Sequence, residues 1–248
     1  MKPLRTLAAG KLKGKLAIAV MSSKGGVGKS VVSALLANVM SARVKTLLLD
    51  LDVHTMASAK LFGLEGRVHQ VSKRGLEPFP FGDKLGVITL SGVVKDRWVL
   101  LPGANQALTM ESLLAYSDME GWDAVIFDLP PGLGDEVLVL GRVSDYLPLV
   151  VTSPSKVSVK VVEYLLKFLS ETGKRPVLTV NMAYYQCQGQ VVRPFGDGRA
   201  LKELTERYGV PMVELPIDPE LEEFVGRIQE YDGPVLEGVR EITRMLER

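Results

Sequence analysis

The chain has 248 residues, 46% of them hydrophobic, enough to bury a substantial core in one ordinary domain. Its 30 Lys and Arg against 29 Asp and Glu give a formal net charge of +1, which excludes a broad electrostatic drive toward nucleic acid or acidic membranes. The single cysteine, Cys187, excludes an intrachain disulfide framework, and no apolar run approaches the roughly 20 residues of a membrane span, so a soluble cytoplasmic protein is expected.

Residues 1–14 carry Lys2, Arg5, Lys11 and Lys13 with no acid, which reads as a flexible, solvated basic leader ahead of a single domain over residues 15–248. From residue 15 onward, short β-branched runs alternate with amphipathic stretches, the pattern of parallel strands joined by crossover helices. Leu16 to Met21 reads as a strand, Ser22 to Gly28 as a loop and Ser30 to Met40 as a helix. Further strands are predicted at Val44 to Leu51, Val87 to Leu90, Ala124 to Leu129, Leu147 to Val151, Val177 to Val180 and Pro211 to Leu215. Helices are predicted at Val157 to Glu171 and Ala200 to Tyr208, the second stopped by Gly209 and Pro211. Apolar Leu236, Val239, Ile242 and Leu246 mark a last, core-packed helix, and the irregular stretch from Gly63 to Phe81 reads as a mobile loop. The expected fold is α/β: a doubly wound, mostly parallel sheet flanked by helices.

The string Ser23-Lys24-Gly25-Gly26-Val27-Gly28-Lys29-Ser30 lies between a predicted strand and a predicted helix, the context in which a P-loop motif is credible. Its glycines let successive N–H groups face inward, and the helix N-terminus that begins near Val31 adds partial positive charge, making a cradle for the phosphates of ATP or ADP. Lys29 would reach the β- and γ-phosphates and the Ser30 hydroxyl would ligate Mg²⁺. Lys24 is a second cation with no local task. Leu47-Leu48-Leu49-Asp50-Leu51-Asp52 ends a strand in two acids on one face, at the sheet edge where ligands bind in open α/β folds. Either acid is alternatively a solvated strand end with capping duty. Val125-Ile126-Phe127-Asp128 ends in a third acid and runs into the stiff loop Leu129-Pro130-Pro131-Gly132-Leu133-Gly134-Asp135, where Asp128 would hold Mg²⁺ through water, Gly132 would offer its N–H to the γ-phosphate and Asp135 would cap a helix.

Lys-Gly-Gly-Val-Gly-Lys-Ser resembles the deviant Walker A motif of the MinD and ParA class of ATPases. That resemblance implies a nucleotide-dependent homodimer in which Lys24 crosses to the partner's phosphates and Asp52 orients or deprotonates the attacking water, with Asp50 behind the magnesium ion. Asp-Leu-Pro-Pro-Gly-x-Gly-Asp narrows it to the Mrp/ApbC branch of iron–sulfur cluster scaffold or carrier ATPases. Leu61-Phe62-Gly63-Leu64-Glu65-Gly66, Asn181-Met182, Tyr184-Tyr185-Gln186-Cys187, Phe195-Gly196 and Leu215-Pro216-Ile217-Asp218-Pro219 extend the similarity from residue 15 to the end. Asn181, whose amide offers a donor and an acceptor, is the expected base-recognition residue, with Pro216 beside the base.

That branch usually carries a Cys-x-x-Cys pair in its C-terminal third, whereas this chain reads Cys187-Gln188-Gly189-Gln190. A dimer would therefore supply two protein thiolates rather than four, and Cys187 is either an iron–sulfur ligand completed from outside or a structural remnant. His54 and His69 lie far away in sequence and read as surface or loop histidines. Val53-His54-Thr55-Met56-Ala57 also departs from the branch's switch segment. The implied function is an ATPase assisting iron–sulfur protein maturation through a client or scaffold partner. A positioning switch of the MinD and ParA type, which would need a membrane or DNA surface or act through a protein partner, is the alternative, and a P-loop kinase would leave Lys24 without a purpose.

Overall fold

Residues 3–14 are not a leader draped over a separate body. In the computed structural model, which describes residues 3–52, 55–94, 103–132 and 134–247, helix α1 (Leu4–Leu12) buries Ala8 and Leu12 against helices α5 (Gly103–Tyr116) and α6 (Asp135–Val143). Its cations are committed to this docking, which corrects the flexible, solvated reading. Arg5 Nε lies 2.6 Å from the Glu111 carboxylate, and Lys11 Nζ donates to the carbonyl oxygens of Ser117 at 2.6 Å and Arg74 at 3.0 Å. Ser117 follows the last residue of α5, where unpaired carbonyls and the helix dipole both favour a cation.

The strands are β1 (Leu16–Ser22), β2 (Thr46–Asp50), β3 (Val71–Ser72), β4 (Gly75–Leu76), β5 (Phe79–Phe81), β6 (Leu85–Thr89), β7 (Ala124–Asp128), β8 (Leu147–Thr152), β9 (Val177–Cys187), β10 (Gln190–Val192) and β11 (Met212–Pro216). The main sheet runs β10-β9-β8-β1-β7-β2-β6-β5, with β11 also paired to β9. The pairings among β11, β9, β8, β1, β7, β2 and β6 are parallel, while β5 and β10 add antiparallel pairs. The expected strands and helices are found, with ends shifted by a residue or two. The exception is β9, which continues through Met182 at φ 56 to Cys187 rather than stopping near Val180.

Because β1, β2 and β7 lie inside a sheet covered on both faces, their residues are apolar in runs rather than in alternation. One face packs on α1, α5, α6, α7 (Lys156–Glu171) and α8 (Arg199–Tyr208), around Phe127, Leu140, Leu165 and Leu201. The other packs on α2 (Lys29–Ser41), α3 (Ala57–Leu61) and α9 (Val235–Leu246), around Leu35, Leu36, Leu48 and Ile242. The stretch from Gly63 to Phe81, read from sequence as a mobile loop, holds the hairpin β3–β4 and the edge strand β5, and is tied to α5 by the Asp118 N–H on the Leu76 carbonyl at 2.8 Å. The four-residue helix α4 (Ser91–Val94) follows β6. None of the helices among the described residues is long and apolar enough to cross a membrane.

Leu12 is 4% exposed, so Leu12→Ala is expected to destabilise the protein by about 2–4 kcal/mol in urea unfolding. A change below about 0.5 kcal/mol, the size of an ordinary surface effect, would mean that α1 does not belong to the core.

Candidate functional site

The site forms at the carboxyl ends of β1, β2 and β7, beside the strand flanked by both β7 and β8. A cavity of about 470 Å³ is lined by the whole run from Lys24 to Val31 together with Ser22, Asp52, Thr55 and Pro131. Leu61 of α3 and Leu221, Glu222 and Val225 of the 3-10 segment after β11 close its side. A larger cavity of about 750 Å³ lies at the opposite ends of the strands, among Leu147, Leu166, Tyr208 and Met245. It is lined by no carboxylate and none of the motif residues, so the chemistry belongs to the P-loop side.

Gly28 precedes α2 in the left-handed conformation, φ 80, and a Cβ there would come within 2.3 Å of Asn181 Nδ2. Glycine is therefore needed both for the turn and for the close approach of β9. The Asn181 side chain donates to the Val27 carbonyl at 3.0 Å, so it braces the loop from behind, and it does not line the cavity. Pro216 is buried at the end of β11, opposite Tyr184, and also lies outside the cavity lining. The expected base contacts of these two residues are thus not formed by the cavity as it stands.

Lys29 is turned inward. Its Nζ lies 2.6 Å from Asp128 Oδ1, with the two side chains 6% and 0% exposed. Ser33, one turn further along α2, donates to the same oxygen at 2.9 Å. Asp128 Oδ2 is buried with no hydrogen-bond partner among the described residues. Asp50 stands beside Asp128 in register and accepts the Asp52 N–H at 3.1 Å and the Ser58 N–H at 3.2 Å. Burial first, and then the charges of Asp128 and Asp52, push the Asp50 carboxyl up to about 7, against the opposing pull of Lys29. Asp52 is buried beneath the cavity wall and its Oδ1 accepts the Thr55 N–H at 3.3 Å. Lys24 lines the cavity and forms no ion pair among the described residues.

Two expectations change. The Gly132 N–H donates to the Ser22 carbonyl at 2.8 Å, so it is engaged with β1 rather than offered to a phosphate. Gly134, in extended conformation, occupies the cap position of α6, and Asp135 is the first helical residue, where its charge still favours the helix N-terminus. His54 and Leu133 lie outside the described residues. His69 is buried, not on the surface. Ser33, Thr89 and His69 went unrecognised in the sequence. For Ser33 a signal existed, since a hydroxyl one turn after Ser30 shares its helix face.

Cys187 ends β9, and the turn Gln188-Gly189 has φ of 48 and 78, the two positive values that a tight two-residue hairpin requires. Gln190 is the direct cross-strand partner of Cys187. No group of three or more His, Cys, Asp or Glu among the described residues is arranged to hold a metal ion by itself.

A family model described as "ParA: NUBPL iron-transfer P-loop NTPase" matches residues 13–237. The chain is 32% identical over 219 residues to an iron-sulfur cluster carrier protein of Saccharolobus solfataricus, covering 84% of this chain and 73% of that protein. It is 32% identical over 229 residues to the cytosolic Fe-S cluster assembly factor Nubp2 homolog of Aedes aegypti, covering 86% and 87% of the two chains. Among solved structures, a nucleotide-binding protein from Archaeoglobus fulgidus in complex with ADP superimposes with a TM-score of 0.80 at 30% identity, covering 94% of this chain and 96% of that one. With this match spanning the P-loop, the three strand-end acids and the Cys187 hairpin, the chain belongs to the ParA-type NUBPL iron-transfer family of P-loop NTPases.

Proposed function

We propose that the protein binds ATP with Mg²⁺ in the P-loop cavity, hydrolyses it as a nucleotide-bridged homodimer, and serves as a cytosolic carrier of iron–sulfur clusters to client proteins. The observation that carries this reading is one cavity lined by both Lys24 and Asp52, with Lys29 paired to Asp128 behind it. Backbone N–H groups from Gly25 to Lys29 cradle the phosphates, and Lys29 exchanges Asp128 for phosphate oxygens when they arrive. Asp52, which lines the same cavity, would orient the attacking water. Lys24, without a carboxylate partner among the described residues, is the cation that a second copy's phosphates would attract.

The buried, unpartnered Asp128 Oδ2 beside Asp50 fits a divalent cation, with Ser30 at the cavity side. These groups do not close a cage, which suits Mg²⁺, an ion usually held by one or two carboxylates together with substrate phosphates. The ion would offset negative charge on the β- and γ-phosphates. Carriage of a cluster is supported by the names of the relatives at 32% identity and by the position of Cys187 on an exposed hairpin. Gln190 opposite Cys187 favours a second reading, a nucleotide switch that acts through a partner protein without a cluster.

Anaerobic reconstitution with iron and sulfide separates the two. A carrier is expected to retain iron through wild-type Cys187, to lose it in Cys187→Ser and to gain it in Gln190→Cys, scored as bound iron per monomer and visible absorption. Equal iron in wild type and Cys187→Ser, with ATPase activity present, would leave the switch. Lys24→Ala is expected to keep ATP binding and lose turnover by at least about 100-fold, whereas retained turnover rejects action in trans. Lys29→Ala is expected to weaken ATP binding and also to lower the stability of the ligand-free protein by roughly 3–5 kcal/mol, because it strands the buried Asp128 charge.

The raised Asp50 carboxyl gives a pH test. Between 3.8 and about 7 the unfolded chain has ionised this group while the folded chain keeps its proton, so the folded state binds more protons and stability falls as pH rises through that window. The melting temperature of ligand-free wild type is therefore expected to fall relative to Asp50→Asn across it, and Mg²⁺ enhancement of ATP affinity is expected to weaken as pH drops below about 7. Parallel melting curves for the two proteins would mean that Asp50 is ionised throughout.

A further inference from the structure

His69 belongs to the irregular excursion between α3 and β6, yet its ring is 5% exposed and clamped from three sides. Its own N–H donates to the Gly92 carbonyl at 2.9 Å, and its ring centroid sits 4.1 Å from that of Phe79. A Cβ on Gly92 would lie 2.5 Å from His69 Cδ2, so the ring occupies the space that this glycine leaves open. Nδ1 lies 2.9 Å from the Glu77 carbonyl, and Nε2 lies 3.1 Å from the Thr89 carbonyl and 3.2 Å from the Thr89 backbone nitrogen. Burial pushes the imidazole down toward the neutral form. With the proton on Nδ1 the ring donates to Glu77 and accepts the Thr89 N–H, and with the proton on Nε2 it donates to the Thr89 carbonyl, so either neutral tautomer ties the ring to the Thr89 backbone.

Thr89 ends β6 directly opposite Asp50, and its hydroxyl donates to Asp50 Oδ2 at 3.4 Å. Asp50 in turn accepts the N–H groups of Asp52 and of Ser58 in the first turn of α3. We infer that His69 is a positioning residue: by fixing the backbone of Thr89 it holds Asp50, and through Asp50 it sets the placement of Asp52 and of α3 against the P-loop cavity. The proposal rests on the reading of the cavity as an ATP-hydrolysing site. The connection is short and built of buried groups, with Thr89 fully buried and Asp50 nearly so. Losing the ring's nitrogens removes its contacts with the Thr89 N–H and carbonyl and frees the last residue of β6 to shift. The excursion from Gly63 to Phe81 thus becomes part of the catalytic support rather than surface decoration.

Steady-state ATPase kinetics and equilibrium binding of ATP, with and without Mg²⁺, test this on the full chain. His69→Phe keeps a ring against Phe79 and loses both polar contacts, and kcat is expected to fall roughly tenfold while the ATP dissociation constant stays within about twofold. His69→Gln, which can return an acceptor to the Thr89 N–H, is expected to recover kcat to within about threefold of wild type. Thr89→Val removes only the hydroxyl and is expected to depress kcat in the same direction, so a His69→Phe protein that does not fold leaves the test intact. A kcat within about twofold of wild type in His69→Phe and Thr89→Val, a proportional loss of ATP binding, or a Gln variant no better than Phe would overturn the assignment. If wild type binds ATP with Mg²⁺ but never turns over, the hydrolysis reading has failed on its own. The role of His69 is then read from the gain in ATP affinity on adding Mg²⁺, expected to shrink in His69→Phe and overturned if unchanged.

Discussion

The ion pair between Lys29 and Asp128 is the contact around which the rest of the molecule is arranged. It joins the first residue of α2 to the last residue of β7, two elements 99 positions apart in the chain, in a region almost closed to water. Taking both charges out of water is costly, and their attraction offsets that cost only with good geometry and further hydrogen bonds. Here the offset is partial: Ser33 and Lys29 share one carboxylate oxygen, and the other oxygen is without a partner among the described residues. Such an arrangement is a poor device for stability alone. It is well suited to a site that must receive more charge, because the lysine is already desolvated and the idle oxygen already points into the protein.

Three carboxylates converge at this edge against one buried lysine, and the electrostatic consequence falls on Asp50, whose carboxyl is pushed up to about 7. Asp128 pairs with Lys29, and Asp52 lines the cavity. Asp50 is held by backbone donors on one side and by the Thr89 hydroxyl on the other. A group so placed reports the ionic state of the site to its neighbours, since a change in its charge alters the bonds that fix Asp52 and the start of α3. In physical terms, the fold concentrates its unfavourable electrostatics where ligand binding would relieve it.

What the sequence disclosed was local in the chain. The P-loop was legible because eight consecutive residues carry the whole device, and the strands because a sheet covered on both faces demands uninterrupted apolar runs. Helix α1 was missed because its buried residues are only Ala8 and Leu12, too few to draw an amphipathic stripe, and because Lys11 finds carbonyls 63 and 106 residues away. The hairpin β3–β4 has two-residue strands, shorter than any alternation that could announce them. His69 was read as a surface or loop histidine, and its burial was missed because nothing near it in sequence reveals that Thr89 will close over it. Asn181 was read as the base-recognition residue, and in the structure its partner is the Val27 carbonyl, a contact that only the register of β9 against the loop could disclose.

The same strand explains how a missing cysteine leaves a coherent structure. In β9, Asn181 braces the P-loop and Cys187 stands six residues further on, about 20 Å away at the rise of an extended chain. Met182 at φ 56 and the register shift between Glu214 and Pro216 bend this stretch, but pairing with β11 continues to Tyr184 and pairing with β10 takes over from Tyr185. The hairpin is therefore fastened to the nucleotide loop by continuous backbone, whatever residue occupies position 190. Replacing a second thiol by Gln190 changes the chemistry offered at the tip and leaves its geometry intact, since cross-strand side chains lie about 5 Å apart for any residue pair. A chain with this substitution keeps the physical link between nucleotide and hairpin. What it alters is the source of the remaining ligands, which in a carrier of this construction must come from outside the chain.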